Sequence, residues 1–356
     1  MMPVNSLSRH PAAMPSLPTD PSLRNSLYVP TLLPALEDLL ARGVPEERLE
    51  AVFQRRLDEL RTSFLRVPLF MSRRFWALAE EATGDPAIGL ELGCGQLSRV
   101  PSTLSYLFDV SASLEQGFGY LVDYLHRFNG HFRAQIVVEG DEVQVQLHDC
   151  GSLAAPAALF DYVLGGLCSL VRRKLLAAGS QPTPLRRLSM ARPLPATAER
   201  YRLALGVPLD WQQPVHALHF DRELFVNALS VADPGMLETL LAIAEQLPNQ
   251  AQPSLLQQAC DHIATSLAGD SSLEAFCASR HMTKRTVTRR LQAQGWRYSE
   301  LLDEYRRYRA QDLLRDPART QVDIAEELGY CDLSSFSRAF GRWYGCSPGA
   351  WREADG

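Results

Sequence analysis

From Pro30 onward, apolar positions recur at helical spacing and the runs break at glycine. LPALEDLLARG runs to Gly43, the expected end of a first helix. PEERLEAVFQRRLDEL restarts at Pro45 with two acids in its first turn, as the helix dipole favours. SRRFWALAEEATG predicts another helix, capped near Ser72 and stopped near Gly84. After DPAIGLELGCG, the stretch LEQGFGYLVDYLHRF (114–128) keeps one continuous apolar face. The period then changes. HFRAQIVVEGDEVQVQLHD holds two alternating runs either side of Glu139-Gly140-Asp141, a hairpin whose turn suits Gly-Asp. Phe160 to Ala178 reads as a long helix ending at Gly179. PLRRLSMARP reads as a strand, PATAERYRLALG as a short helix and VPLDWQQPVHALHFD as a further strand pair. Helices and strands mix without a regular βαβ repeat, so 27–246 is expected to be an α+β domain. Residues 1–26, rich in Pro and Ser, are expected to form a disordered tail, and LPNQAQPS (247–254) a linker.

The remainder, 255–356, is expected to be all-α. LLQQACDHIATSLAG opens it, Ser272 caps LEAFCASR, and Thr283 caps TKRTVTRRLQAQG, which stops at Gly295. Tyr298 to Leu314 is a linker helix packed through Leu301, Leu302, Tyr305 and Tyr308. Further on, Ile324, Ala325 and Leu328 make one face of a short helix. Gly329 then supplies a positive-φ turn and Asp332 a cap. Phe336, Phe340 and Trp343 follow at i, i+4 and i+7 on a buried face, with Ser334, Ser335 and Arg338 pointing away. This is a helix-turn-helix with its recognition helix. The pattern occurs twice. Cys277 matches Ala325 at an offset of 48, while Thr283, Val287 and Arg289 match Asp332, Phe336 and Arg338 at 49. The second turn is therefore one residue longer. Two such units predict recognition helices about one DNA turn apart, roughly 34 Å.

IAEELGY, SSFSRAF, GCSP and the final WR resemble the AraC/XylS transcription regulators over about 255–352. More weakly, 30–230 is similar to the arabinose-binding-type N-terminal domain of the ornithine-utilisation and VirS-like subgroup. The resemblance implies an α+β sensor followed by two helix-turn-helix units joined by a linker helix. It places the base-reading positions on Arg285, Thr288 and Arg289, and on Leu333, Ser334, Ser335 and Arg338. Lys284, Arg290 and Arg342 fall to phosphate. Two positions depart from the family pattern: Arg280 and His281 stand where an apolar residue and Gly are usual, and Leu333 offers only an apolar contact. The founding sensor is a cupin-like β-barrel, which this helical half does not match. The implied partners are promoter double-stranded DNA, RNA polymerase, an unidentified small-molecule effector and a second copy of the chain in a homodimer. The implied role is a cytoplasmic activator, with no cofactor, no metal and no catalytic activity. An effector-independent regulator, whose N-terminal half serves only protein contacts, is the alternative.

Composition refines this picture. The chain of 356 residues has room for two cores, and its net charge of −5 argues against a generally basic coat. From Ser254 on, 14 Lys/Arg balance 14 Asp/Glu, but Arg280, Lys284, Arg285, Arg289 and Arg290 form an acid-free stripe. Such a stripe suits one face laid on a phosphate backbone. Seven cysteines without CxxC spacing fit a reducing cytosol and no zinc site. The N-terminus lacks the apolar run of a signal peptide, and Leu153–Val171 is interrupted by Pro156 and Asp161, so no membrane span is expected.

The N-terminal half shows little chemistry. His126, His131 and His148 lack metal-ligand spacing and read as core or surface residues. GLELGCG is not a phosphate loop, and no GxSxG elbow is present. Arg172-Arg173-Lys174 reads as a solvated helix face. For an apolar or amphipathic effector the candidate contacts are Tyr124, Tyr162 and Arg172.

Overall fold

The computed structural model describes residues 25–62, 65–96, 103–179, 184–229, 232–246 and 253–355. β1 (Ser26–Tyr28) pairs antiparallel with β2 (Arg66–Pro68). Ser26 thus belongs to the fold rather than to a tail, while residues 1–24 lie outside the described residues. Between the two strands run α1 (Leu33–Ala41), α2 (Glu46–Phe53) and α3 (Leu57–Thr62). α4 (Leu69–Thr83) starts directly after Pro68, so the expected cap at Ser72 is corrected. Leu69, Phe70 and Met71 are all buried, and the cap lies at Pro68, four residues earlier, which leaves Ser72 inside the helix.

α5 (Ile88–Gln96) lies against α8 (Ala157–Ala177). The glycines of GLELGCG explain the closeness. A Cβ on Gly89 would stand 2.0 Å from the Ala158 carbonyl oxygen, and one on Gly93 2.4 Å from that of Tyr162. Such contacts are sterically forbidden, so only glycine lets the two backbones meet. α6 (Thr103–Val110) and α7 (Leu114–Phe128) follow α5, the latter capped by Ser113, whose side chain accepts from the Gln116 N–H.

A five-stranded sheet backs these helices. Its strands are β3 (Phe132–Glu139), β4 (Glu142–Asp149), β5 (Leu185–Met190), β6 (Leu209–Trp211) and β7 (His216–Asp221), in the order β3-β4-β7-β5-β6. The β3–β4 hairpin turns at Gly140, where φ is +59°. The expected pairing of β6 with β7 is corrected: β5 lies between them. β7 is buried from His216 to Phe220 and takes partners on both edges, whereas the three half-buried residues of β6 suit an outer strand. β6 runs parallel to β5, and α9 (Ala198–Leu205) makes the crossover that a parallel pair requires. α10 (Arg222–Val226) and α11 (Pro234–Gln246) were not anticipated. Leu240 and Ala244 of α11 bury against Leu107, Tyr124 and Phe128, a small cluster beside the main core.

The C-terminal half comprises α12 (Leu255–Ser266), α13 (Leu273–Ser279), α14 (Lys284–Gln292), α15 (Tyr298–Leu314), α16 (Gln321–Glu327), α17 (Leu333–Tyr344) and α18 (Pro348–Asp355). Ser254, placed in the linker by the sequence, is the N-cap of α12. One apolar cluster continues through both halves. At the seam Phe70 of α4 meets Trp296 and Tyr305, ring centroids 5.3 and 6.0 Å apart. Arg73 and Asp312 form an ion pair at 2.6 Å, their side chains only 8% and 6% exposed. Arg74 pairs with Glu304 at 2.6 Å.

The two helix-turn-helix turns repeat in detail. Met282 N–H donates to the Cys277 carbonyl at 3.0 Å, and Tyr330 N–H to the Ala325 carbonyl at 2.9 Å, each 48 residues apart. Both turns need a left-handed residue: Gly329 (φ +73°) in the second and His281 (φ +52°) in the first. His281 is exposed, but a Cβ on Gly329 would stand 2.4 Å from the Leu267 carbonyl oxygen. His281→Gly is therefore expected to stabilise the chain by up to about 1 kcal/mol, by removing the left-handed cost. Gly329→Ala is expected to cost at least about 2 kcal/mol. Denaturant midpoints of the two variants check both signs.

Acid sensitivity follows from buried imidazoles. Burial, and then the charge of Arg73, depress the pKa of His131 to about 3. His216 is held at about 4 by burial and Arg192. Both folded values lie below the ordinary one, so on acidification the unfolded chain takes up the proton first. Stability is whole above about pH 6.5 and falls as the pH drops towards 4. His131 alone amounts to about 2 kcal/mol at about pH 5. Asp149 works in the opposite sense: burial raises its carboxyl to about 6, so acidification relieves a cost. The melting temperature of His131→Gln is expected to decline less than that of the natural chain between about pH 7.5 and about pH 5. Equal slopes in the two proteins would contradict this account.

Candidate nucleic-acid interface

α14 is fixed from beneath. Val287 and Leu291 are fully buried, and the Thr283 side chain accepts from the Thr286 N–H to start the helix. Its outer face carries Arg285, Thr288, Arg289 and Arg290, all exposed. Arg285, Thr288 and Arg289 share one side by their i, i+3, i+4 spacing, with Arg290 about 100° further round. Lys284 is paired with Glu274 of α13, and both side chains are more than half exposed. A pair so wetted contributes little and holds the ammonium weakly. The free N–H groups of the helix start add a partial positive charge beside these cations.

α17 repeats the design with different chemistry. Phe336 and Phe340 are fully buried. Asp332 caps the helix: Oδ1 accepts from the Ser335 N–H at 2.7 Å and Oδ2 from the Ser335 hydroxyl at 2.8 Å. These two bonds hold the Asp332 carboxyl below its ordinary pKa, the backbone one foremost. Leu333, Ser334 and Arg338 are exposed, but Ser335 is half-buried, with its hydroxyl engaged inside the helix. Arg342 is exposed on the last turn. Arg352, which with Arg338 and Arg342 lies between Asp332 and Glu353 where no acid occurs, donates instead to the Leu314 and Arg319 carbonyls at 3.0 and 2.9 Å, tying α18 to the end of α15.

The linker helix α15 joins the units. Leu301, Tyr305 and Tyr308 are buried as expected, whereas Leu302 is half-buried. Arg306 donates to the Leu328 carbonyl at 2.8 Å and the Gly329 carbonyl at 3.1 Å, holding the second turn. Asp303 accepts from the Trp343 indole at 2.8 Å, and the Arg307 carbonyl from the Tyr344 hydroxyl at 3.0 Å. Helix α17 is thus hung on α15 by side-chain hydrogen bonds, not by apolar packing alone.

The sensor residues singled out from sequence do not converge. Tyr162 is buried against Trp76, ring centroids 5.2 Å apart, and donates to the Thr31 carbonyl. Arg172, about 15 Å further along the same helix, caps α9 through the carbonyls of Ala204 and Leu205. Tyr124 belongs to the separate cluster under α11. The solvated face expected for 172–174 is corrected as well. Arg173 pairs with Asp109 at 2.6 Å. Lys174 is 1% exposed and donates to the Phe108, Asp109 and Ser111 carbonyls, closing the end of α6. Burial brings its pKa down to about 8. Among the described residues no group of three His, Cys, Asp or Glu side chains is placed to hold a metal ion. No helix there is long and apolar enough to cross a membrane. Arg73 and Arg74 gave no sequence signal, because their ion-pair partners Asp312 and Glu304 lie 239 and 230 residues away.

Residues 43–229 match the arabinose-binding N-terminal domain of AraC transcription regulators, and 276–354 match a helix-turn-helix domain. Over 323 residues the chain is 27% identical to the ornithine utilization regulator of Pseudomonas aeruginosa, spanning 90% of this chain and 94% of that one. It is 32% identical over 164 residues to the regulator VirS of Mycobacterium tuberculosis, spanning 45% and 47% of the two chains. Among solved structures, the transcriptional regulator CdpR from Pseudomonas aeruginosa is similar over 91% of this chain and 98% of that one, at 21% identity and a TM-score of 0.43. With one matched domain covering more than half its length and a second on the helices just described, the chain belongs to the AraC family of transcription regulators.

Proposed function

We propose that this regulator reads its operator through one arginine on each recognition helix, Arg289 and Arg338, and activates transcription under the control of a small-molecule effector. The observation that carries the DNA half is the repeat. Each arginine is exposed at the same place, two residues beyond a fully buried Val287 or Phe336. Arginine has the fork that grips guanine at O6 and N7. Arg285, Thr288, Leu333 and Ser334 flank the two readers and take neighbouring base edges, Leu333 by a thymine methyl. Lys284, Arg290 and Arg342 hold phosphate. RNA polymerase and a second copy of the chain are the partners this reading adds. For effector control the support is the matched arabinose-binding domain, whose sheet and helices are tied to α15 by the buried seam.

Arg289→Ala and Arg338→Ala are each expected to cost roughly 1–3 kcal/mol and to relax preference at one position of the matching half-site. The two positions are expected about one helical turn apart. Arg290→Ala is expected to weaken all sequences alike and to lower the salt slope by about 1. Selection from a randomised operator library at two salt concentrations measures all three variants. Unchanged base preference in both Arg289→Ala and Arg338→Ala, with normal folding, removes direct readout by these arginines.

A further inference from the structure

The two recognition helices carry the same ladder of positions, a cap, a hydroxyl three residues on and an arginine three further. In α14 these are Thr283, Thr286 and Arg289; in α17 they are Asp332, Ser335 and Arg338. The chemistry of the rungs differs. In α17 the chain of bonds is complete: Arg338 Nη2 donates to Ser335 Oγ at 3.0 Å, and Ser335 Oγ donates to Asp332 Oδ2 at 2.8 Å. In α14 the two hydroxyls bond each other at 2.9 Å, and the described hydrogen bonds take the ladder no further towards Arg289.

We propose that Ser335, backed by Asp332, is a positioning residue that holds Arg338 in its reading conformation, and that the second recognition helix therefore discriminates bases more sharply than the first. This rests on the reading that Arg338 contacts a base.

The direction of each bond supports the assignment. A serine hydroxyl has one proton and two acceptor lone pairs. The Asp332 carboxylate takes the proton, which leaves the lone pairs for Arg338. A threonine hydroxyl at the cap lacks the charge that fixes this order, so in α14 either hydroxyl serves as donor. The tether uses one of the guanidinium's five N–H groups, so a bidentate grip on guanine stays open. Arginine otherwise loses much rotamer freedom on binding, and a side chain ordered beforehand loses less. A mobile arginine finds phosphate or a wrong base at little extra cost, whereas a fixed one accepts only the base its fork meets. Ser335 itself is half-buried and engaged, so it acts on the base through Arg338 and not by touching it.

The test uses the full-length chain and a randomised operator library. Ser335→Ala keeps the backbone bond that caps α17, because Asp332 Oδ1 accepts from the residue 335 N–H. It is expected to fold normally, with binding to random DNA and the salt slope unchanged. Discrimination at the Arg338 position is expected to fall between about two- and ten-fold, the net worth of one solvent-exposed intramolecular hydrogen bond. Ser335→Thr is expected to restore it. The matching change in the first unit, Thr286→Ala, is expected to leave preference at the Arg289 position as it was. Normal discrimination in Ser335→Ala, where Arg338→Ala abolishes it, overturns the positioning role and leaves direct readout standing. A uniform loss on all sequences also overturns it and makes Ser335 a backbone contact. Unchanged preference in Arg338→Ala removes direct readout, and the positioning role with it.

Discussion

The buried pair of Arg73 and Asp312 is the constraint on which the arrangement of this molecule depends. Each charge is almost wholly removed from water, and such removal is tolerated only where every lone pair and proton is met. Here the demands are met from both halves. Arg73 also donates to Gln311 and lies 4.7 Å over the Tyr308 ring, while Asp312 Oδ2 accepts from the Ala154 N–H at 2.9 Å. A sheet-to-helix turn of the sensor, a sensor helix and the linker helix are therefore fixed by one carboxylate. Losing either member leaves the other charged and dry, a cost of roughly 3–5 kcal/mol. A single exposed ion pair would not couple the halves; this one does, because it has no low-energy alternative.

What hangs on that helix is the reading head. α15 fixes α17 through Asp303, Arg307 and Arg306, and packs on α12, which in turn lies against α14. The sensor thus grips the very element that sets the distance between the recognition helices. Helix α4 on one side and α17 on the other are thus bonded to the same linker helix by short-range, directional contacts.

Much of this was legible locally. Thr283 and Asp332 announced their helices by side-chain type, Gly329 its turn by lacking a Cβ, and Gly140-Asp141 its hairpin. These signals are contained within a few residues, and the helix at 114–128 came out with its bounds unchanged. Long-range pairing left no such mark. Nothing in VPLDWQQPVHALHFD shows that β5 will part its two strands, because strand order is decided by burial on both edges of β7. That GLELGCG is no phosphate loop was readable from its spacing, but the close approach of Gly89 and Gly93 to the carbonyls of α8 was not. At the DNA face, exposure of the arginines followed from periodicity, but the commitment of Arg352 to the carbonyls of Leu314 and Arg319 did not. Periodicity gives the side of a helix and is silent on which outward groups are already taken.

The seam also orders events in time. Arg73 and Asp312 are 239 residues apart, so at roughly 5–20 residues per second the arginine leaves the ribosome some tens of seconds before its partner exists. Through that interval Phe70, Arg73 and Arg74 stand open on a nascent sensor with nothing to cover them. The face is closed only when the linker helix emerges, and by then the first recognition helix has already been made. Closure of the seam thus follows synthesis of the first recognition helix, and it doubles as the step that covers Phe70 and its neighbours.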